Sequence, residues 1–277
     1  MLRHLLCALS LLLLTACPPD SEVAPAFLLV EDLVLDTPEL TEDISEVWAF
    51  ADDVFVGAFP LPARIPVPNV GNTEIRLEAG VRQNGVLAAP EIYEFYTPVI
   101  RNLELVAGES IDLGTLTIGY RADVQFALLE DFESSTSRAF TQVLTGDTVL
   151  QVTNERVRSG AFSGKLSLSE RNSLVEIASQ EVLRDLTTQR PYVWLEMDFL
   201  SQAPVVWTIV GADGTGAVQG FAPGFNPQDE WTKIYFNLSE VIVRGNLSEY
   251  RLLLSTLRPS ERETADIYLD NIRLVYF

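Results

Sequence analysis

The sequence predicts an all-β protein built from two β-sandwich domains. Short segments of alternating polarity recur about every ten residues, which is the spacing of strands in a sandwich. Gly, Pro, Asn and Asp separate these segments and supply turns. No heptad, collagen or solenoid repeat is present. Apolar residues form 47% of the 277 positions, which is enough to bury a core in each domain.

Residues 27–120 are predicted to form the first sandwich. Val47–Phe50 and Val54–Gly57 flank a short acidic turn and indicate a hairpin. The prolines between Pro60 and Pro68 favour an edge strand or an extended crossing. The strands of residues 103–118 close the unit. Turns are predicted at Asp52-Asp53, Ala79-Gly80 and Asn84-Gly85. This pattern resembles the transthyretin-like or immunoglobulin-like modules of surface lipoproteins, and it carries no site.

Residues 121–277 carry three motifs in order. They are Leu129–Glu133 (LEDFE), Val157–Leu168 (VRSGAFSGKLSL) and Ile267–Leu274 (IYLDNIRL). Together they resemble the carbohydrate-binding-module-like jelly rolls of the galactose-binding-like fold. The resemblance implies that the second domain is a jelly roll, and that glycan binding is its expected function.

The N-terminus is predicted to be an export signal covering residues 1–16. Arg3 precedes the apolar run Leu5–Leu14, which is too short to span a bilayer comfortably. Leu14-Thr15-Ala16-Cys17 resembles a bacterial lipobox, which implies lipid on Cys17 and membrane anchoring. Residues 17–26, rich in proline, form the expected tether. The acidic residues in it resemble the surface-export signal of Bacteroidota lipoproteins. An outer-membrane lipoprotein, periplasmic or surface-exposed, is therefore expected; the alternative is a soluble secreted protein.

Charge and missing residue types exclude several functions. The chain has 39 acidic and 19 basic residues, a net charge of −20, which argues against nucleic-acid binding. The only histidine, His4, and Cys7 both leave with the signal peptide. A Ser-His-Asp triad, a Cys-His pair and His- or Cys-ligated zinc are therefore excluded. Carboxylate chemistry, oxygen-ligated metals and plain binding remain.

The resemblance to carbohydrate-binding jelly rolls implies a structural calcium site. In that family, carboxylates of the first and last strands often bind Ca²⁺ with backbone carbonyls, and the matching residues here are Asp131, Glu133 and Asp270. Calcium prefers several hard oxygen ligands, which neighbouring strands can supply. The alternative is that these acids are solvated charges at strand ends.

Two strands of the second domain predict a ligand-binding face. Alternation places Val193, Leu195, Met197 and Phe199 in the core, and the intervening side chains on the opposite face. Aromatic rings beside hydrogen-bonding groups suit a sugar. The predicted binding residues are Tyr192, Trp194, Glu196, Asp198, Lys233, Tyr235 and Asn237. The alternative is that a loop or the first domain covers this face.

Glu196-Met197-Asp198 also resembles the E-x-D-x-x-E strand of jelly-roll β-glucanases. The second glutamate of that motif is replaced by Ser201, so the acid/base partner is missing and no enzymatic activity is expected. The expected function is that of a lipid-anchored envelope protein that binds polysaccharide. Two alternatives remain: a structural or accessory component of an envelope secretion or adhesion assembly, and a glycosidase-like jelly roll.

Overall fold

A computed structural model describes residues 24–37, 40–134, 138–187, 189–211 and 222–277. Within these ranges the chain forms nineteen strands and one short helix, so the predicted all-β class is confirmed. No helix in the same ranges is long and apolar enough to cross a membrane. The signal peptide and the lipobox Cys17 lie outside the described residues, so lipidation stays a prediction.

The first sandwich packs a three-stranded sheet against a five-stranded sheet. The smaller sheet has the order β4-β1-β8, with β1 and β8 parallel, and the larger has the order β3-β2-β5-β6, with β7 also paired to β5. The strands are β1 (Ala26–Leu35), β2 (Glu46–Ala51), β3 (Val54–Pro60), β4 (Ala63–Val67), β5 (Gly71–Arg82), β6 (Pro90–Ile92), β7 (Val99–Leu105) and β8 (Ser110–Ile118).

Local sequence explains most of this sandwich. The β2–β3 hairpin turns at Asp52 and Asp53, whose φ angles of 48° and 62° are those of a two-residue hairpin turn. β4, which contains Pro66, is an edge strand, one of the two alternatives predicted for this segment. The predicted turn at Ala79-Gly80 is wrong, because β5 runs through it to Arg82. Gly80 serves packing instead: a Cβ there would lie 2.8 Å from the indole nitrogen of Trp48.

The second sandwich packs a six-stranded sheet against a five-stranded sheet. The larger has the order β11-β12-β19-β14-β17, with β9 also paired to β19, and the smaller has the order β10-β13-β18-β15-β16. Its elements are β9 (Gln125–Glu130), β10 (Phe140–Thr145), β11 (Gln151–Thr153), β12 (Ser163–Leu168), β13 (Leu174–Ser179), β14 (Val193–Ser201), β15 (Val205–Gly211), β16 (Gly224–Phe225), β17 (Gln228–Asn237), α1 (Ser239–Gly245), β18 (Tyr250–Leu257) and β19 (Ala265–Tyr276).

The motifs at the start and middle of the second domain meet in its core. Phe132 is 1% exposed and has a φ of 62°, a left-handed conformation that is unusual for an aromatic residue. Its backbone N–H donates to Glu130 Oε1 at 3.0 Å, which helps to hold this conformation. The Phe132 ring lies against Gly164 of β12, where an added Cβ would overlap it. Glycine is therefore required there by packing.

We predict that Gly164→Ala lowers the free energy of unfolding by about 3 kcal/mol, because Phe132 must shift within a close-packed core. Denaturant unfolding measures the loss. Gly114→Ala is the matched control, since Gly114 has a φ of 61° and nothing within 4 Å of the added Cβ. The control should lower the free energy of unfolding by only about 1 kcal/mol, which is the backbone strain of alanine at a positive φ. Equal losses in the two variants would contradict the packing role.

Candidate functional site

The outer face of β14 is buried under the first sandwich, so an open ligand-binding face is wrong, and the alternative that the first domain covers this face is confirmed. Trp194 is 0% exposed, and Tyr235 of β17, which pairs with Glu196, is 1% exposed. The predicted inward face of β14 is confirmed, because Val193, Leu195, Met197 and Phe199 belong to the core of the second sandwich. Trp194 and Tyr235 instead belong to the core of the first sandwich. Both faces of β14 are therefore internal.

Tyrosines of the first sandwich cover this face. The Tyr93 ring centroid lies 5.2 Å from that of Trp194 and 5.0 Å from that of Tyr235, both edge to face. Tyr96 packs on Tyr93 at 4.8 Å, and its hydroxyl is 3.4 Å from that of Tyr235. Edge-to-face aromatic pairs are favourable beyond the area they bury. The contact between the domains is thus a continuous aromatic layer.

A charged group lies inside this aromatic layer. The Glu196 carboxylate, 0% exposed, accepts hydrogen bonds from the hydroxyls of Tyr93 and Tyr120; the Tyr120 hydroxyl is 2.8 Å from Oε1. Its Oε2 lies 3.3 Å from Lys233 Nζ and 3.9 Å from Arg273 Nη1. A buried charge is tolerated only when it is paired and hydrogen-bonded, and both conditions hold here.

Asp198 continues the same network two residues along β14. Its Oδ2 accepts hydrogen bonds from Thr41 of the first sandwich and from Asn271 Nδ2 at 3.0 Å, and lies 4.0 Å from Lys233 Nζ. Its Oδ1 lies 3.3 Å from Arg158 Nε. Lys233 also donates to Thr41 Oγ1 at 3.3 Å. We call Glu196, Asp198, Lys233 and Arg273, with their first-sandwich partners Thr41, Tyr93 and Tyr120, the interdomain network.

Backbone groups also join the two sandwiches. The Asn84 N–H donates to the Tyr235 carbonyl at 2.8 Å, and Asn84 Oδ1 accepts from the Asn237 N–H at 3.1 Å. Gln83 forms a parallel bridge with Tyr235 of β17. The Asp43 N–H donates to the Tyr235 hydroxyl at 3.0 Å. These bonds cover an edge of the six-stranded sheet that would otherwise present unpaired groups.

Burial raises the pKa values of the interface tyrosines well above their ordinary value. For Tyr93, Tyr120 and Tyr235 the next largest cause is the nearby Glu196 carboxylate, and for Tyr96 it is Tyr120. A protonated phenol can donate a hydrogen bond to a carboxylate. The raised pKa values therefore keep Tyr93 and Tyr120 as donors to Glu196.

Two clefts remain open where the sandwiches meet. The larger, of about 480 Å³, is lined by polar side chains of both domains; they are Gln83, Asn84, Asn237, Ser239, Glu240 and Arg244, together with Val241. The smaller, of about 230 Å³, shares Asn84 with it and is lined in part by Lys233, Tyr235 and Phe225. Of the seven predicted binding residues, Asn237 alone lines the larger cleft.

The three predicted calcium ligands have other partners. Glu133 Oε1 accepts from the N–H groups of Ala161 and Phe162 at 2.8 and 2.9 Å, and Asp131 Oδ1 accepts from the Glu133 N–H at 3.1 Å. Asp270, 0% exposed, accepts from the N–H groups of Arg158 and Ser159, both at 3.2 Å.

Burial raises the pKa of Asp270 to about 7, against the effect of its backbone hydrogen bonds. In the described ranges no three acidic, His or Cys side chains form a group that could hold a metal. The implied ligand set of Asp131, Glu133 and Asp270 is therefore not assembled there. Calcium binding itself stays a prediction, which unfolding with and without EGTA checks.

The burial of Glu196 and Asp198 determines whether a substrate could reach their carboxylates. Both carboxylates are 0% exposed and saturated by Tyr, Lys, Arg, Thr and Asn partners. A glycosidic bond cannot reach them in this arrangement. Sequence reasoning missed their first-sandwich partners Thr41, Tyr93 and Tyr120. The signal for the two tyrosines was the concentration of tyrosine at residues 93–96 and at 120.

We predict that Lys233→Met lowers the free energy of unfolding by about 3–5 kcal/mol, because it leaves two buried carboxylates short of a cation. Chemical denaturation measures the change. Lys165→Met is the matched control, since Lys165 pairs with Glu155 and Asp266 near the surface. A surface pair contributes about 1 kcal/mol or less. A Lys233 variant as stable as the control would contradict the network.

We predict that Tyr93, Tyr96, Tyr120 and Tyr235 ionise only when the protein unfolds. Because folding raises their pKa values, the stability linked to them is complete below about pH 10 and is lost as pH rises further. Tyrosinate absorbance during alkaline titration should therefore show a step that coincides with the loss of near-ultraviolet circular dichroism. Reversible ionisation of all eight tyrosines near pH 10 in folded protein would contradict this assignment.

Comparison with known proteins gives structural neighbours only. No protein-family profile matches the chain, and no curated protein matches it. A carbohydrate-binding module of the β-sandwich superfamily aligns over 83% of this chain and 84% of its own, with 16% identity and a TM-score of 0.39.

Two further structures align mainly with half of the chain. The family 11 carbohydrate-binding module of a cellulosomal cellulase of Clostridium thermocellum covers 56% of this chain and 97% of its own, with 12% identity and a TM-score of 0.36. An exo-β-agarase covers 54% of this chain and 25% of its own, with 13% identity and a TM-score of 0.40. At identities and TM-scores this low, no ligand, activity or partner is carried over to this chain.

Proposed function

We propose that this protein is a non-catalytic, lipid-anchored component of the bacterial cell envelope, in which two β-sandwiches act as one rigid body. Its role is structural or accessory: it presents surfaces to an envelope protein or polysaccharide at a fixed distance from the membrane. The observation that supports this proposal most directly is the burial of the outer face of β14, with Trp194, Glu196 and Asp198 all 0% exposed.

The chemistry of the contact supports a permanent association of the two sandwiches. If they parted, Glu196, Asp198, Lys233 and Arg273 would have to regain hydration, and the aromatic layer around Tyr93 would be exposed to water. Desolvated charges held by a specific set of partners favour one relative arrangement over others. A sandwich that bound sugar on this sheet would instead leave its aromatic residues accessible.

Anchoring rests on the sequence. Leu14-Thr15-Ala16-Cys17 ends an apolar run of signal-peptide length. Residues 17–25 carry three of the fifteen prolines, Pro18, Pro19 and Pro25, which disfavours a helix there. Several acyl chains on one cysteine would hold the protein stably, at about 0.8 kcal/mol per buried CH₂. An outer-membrane location, periplasmic or surface-exposed, belongs to the same proposal.

Glycan binding by the second sandwich is the second candidate, and the larger cleft favours it. Asn237, Ser239, Glu240 and Arg244 present amide, hydroxyl, carboxylate and guanidinium groups along one wall. Convergent polar groups in a cleft between domains suit a ligand rich in hydroxyls. This site would differ from the predicted face, with which it shares Asn237.

We predict that Cys17→Ser moves the protein from the membrane fraction to the soluble fraction, because the thiol that would carry the lipid is lost. Cell fractionation and mass spectrometry of the N-terminal peptide measure the change. Cys7→Ser is the matched control: it alters the only other cysteine, within the signal peptide, and should leave anchoring intact. Wild-type protein without acyl mass on Cys17 would overturn the anchoring part of the proposal.

A further inference from the structure

A second aromatic surface lies on the first sandwich, on the outer face of its five-stranded sheet. In β2, Val47, Ala49 and Ala51 are at most 1% exposed and face the core. The intervening Trp48 and Phe50 therefore point to the other side of the sheet, where both are partly exposed. Neither belongs to the core of either sandwich. This surface is independent of the interdomain network.

A bulge in β3 adds a third ring to this face. The pairing shifts between Ala49 and Phe50, so that Ala49 pairs with Gly57 but Phe50 pairs with Phe55. Without the extra residue, Phe50 would pair with Val56. Bulges commonly re-aim a side chain beside a functional site. Here the bulge places Phe55, 51% exposed, opposite Phe50.

The three rings form one contiguous surface, which we call the aromatic platform: Trp48, Phe50 and Phe55. The ring centroids of Trp48 and Phe55 are 5.4 Å apart with an interplanar angle of 33°, and those of Phe50 and Phe55 are also 5.4 Å apart, at 52°. Gly80 of β5 lets the Trp48 indole lie close to the sheet. The rings are therefore held by the sheet rather than by a loop.

Charged groups of fixed position border the platform. The Arg76 guanidinium lies 3.9 Å from the centroid of the Phe50 ring. It also pairs with Glu78 and lies 3.6 Å from Asp53 Oδ1. The arginine is thus positioned by a ring and two carboxylates, while the Asp53 side chain is 83% exposed. Hydrogen-bond donors and acceptors therefore stand beside the Phe50 ring, which is itself in contact with the exposed ring of Phe55.

We propose that the aromatic platform binds a neutral polysaccharide. The apolar C–H face of a pyranose ring stacks on Phe55 and Trp48, and its hydroxyls meet Asp53, Arg76 and Glu78. Residues 17–120 hold 18 acidic and 4 basic residues, so an anionic glycan would be repelled from this domain. The site lies on the first sandwich and is separate from the cleft beside α1.

A protein partner fits this surface less well. A stable protein interface buries about 800 Å² on each partner and has an apolar centre of fully desolvated side chains. Here the exposed ring of Phe55 and the partly exposed rings of Trp48 and Phe50 share their face with the charged Asp53, Arg76 and Glu78. Three rings bordered by charges form a smaller apolar centre than such an interface has.

Affinity gel electrophoresis of the full chain in its soluble Cys17→Ser form tests the proposal, with β-glucan, xylan, mannan and galactan in the gel and polygalacturonate as the anionic comparison. Phe55→Ala should weaken binding of the retained neutral polysaccharide about tenfold or more, whereas Phe55→Tyr should keep it within about twofold. Leu87→Ala, at another exposed apolar residue, and Arg244→Ala, in the cleft beside α1, should bind as wild type. The melting temperature of each variant shows that it folds.

Several results would overturn the proposal. One is a wild type that none of the neutral polysaccharides retards, and another is a Phe55→Ala variant that binds as wild type. Loss of binding in Arg244→Ala alone would place the glycan in the cleft, as the second candidate function expects. Light scattering that shows a wild-type dimer and a Phe55→Ala monomer would make the platform a self-association surface. None of these results affects anchoring or the rigid contact between the sandwiches.

Discussion

The ion pair between Lys233 and Glu196 is the interaction on which the arrangement of this protein depends. Both groups are buried, with Nζ 3.3 Å from Oε2, and neither could remain in the interior without the other. From the first sandwich, the hydroxyls of Tyr93 and Tyr120 donate hydrogen bonds to the Glu196 carboxylate. From β19, Arg273 places a second cation near the same carboxylate. One sandwich supplies the charges and the other supplies the phenols that satisfy them, so each needs the other to bury this surface.

Because the first sandwich covers the six-stranded sheet of the second, the outer face of that sheet is not available to a ligand. This face carries aromatic and polar side chains in the pattern that suits a sugar, and that pattern is used for attachment to the first sandwich instead. The requirements of the two uses are similar: flat rings for packing and hydrogen-bonding groups at defined positions. On the first sandwich Phe55 is 51% exposed, more than Phe126 (40%) and Phe162 (39%) of the second sandwich.

The all-β class and most strands could be predicted from sequence because they depend on local alternation and turn chemistry. The hairpin at Asp52-Asp53 and the inward side of β14 are examples. The first domain was one of the two predicted covers for the outward side of β14, but its contacting residues could not be predicted, because Thr41, Tyr93 and Tyr120 approach from distant segments. Alternation gives the direction of a side chain, and burial on both sides depends on a contact far away in sequence.

The three acidic residues named for calcium illustrate the same limit, while calcium binding itself stays a prediction. Asp131, Glu133 and Asp270 occur in motifs that resemble a metal-binding arrangement, and each of them accepts a hydrogen bond from a backbone N–H group. A carboxylate accepts hydrogen bonds from backbone amides as readily as it binds a hard cation. Sequence identifies the carboxylates, whereas the path of residues 158–162 determines the hydrogen-bond partners of Glu133 and Asp270.

Differential scanning calorimetry of the full chain, in its soluble Cys17→Ser form, tests the central claim that the two sandwiches form one body. If the interdomain network joins them, the protein unfolds in one transition whose calorimetric enthalpy equals its van't Hoff enthalpy. Two separate transitions, with a calorimetric enthalpy well above the van't Hoff value, would mean that the sandwiches unfold independently and would contradict the account.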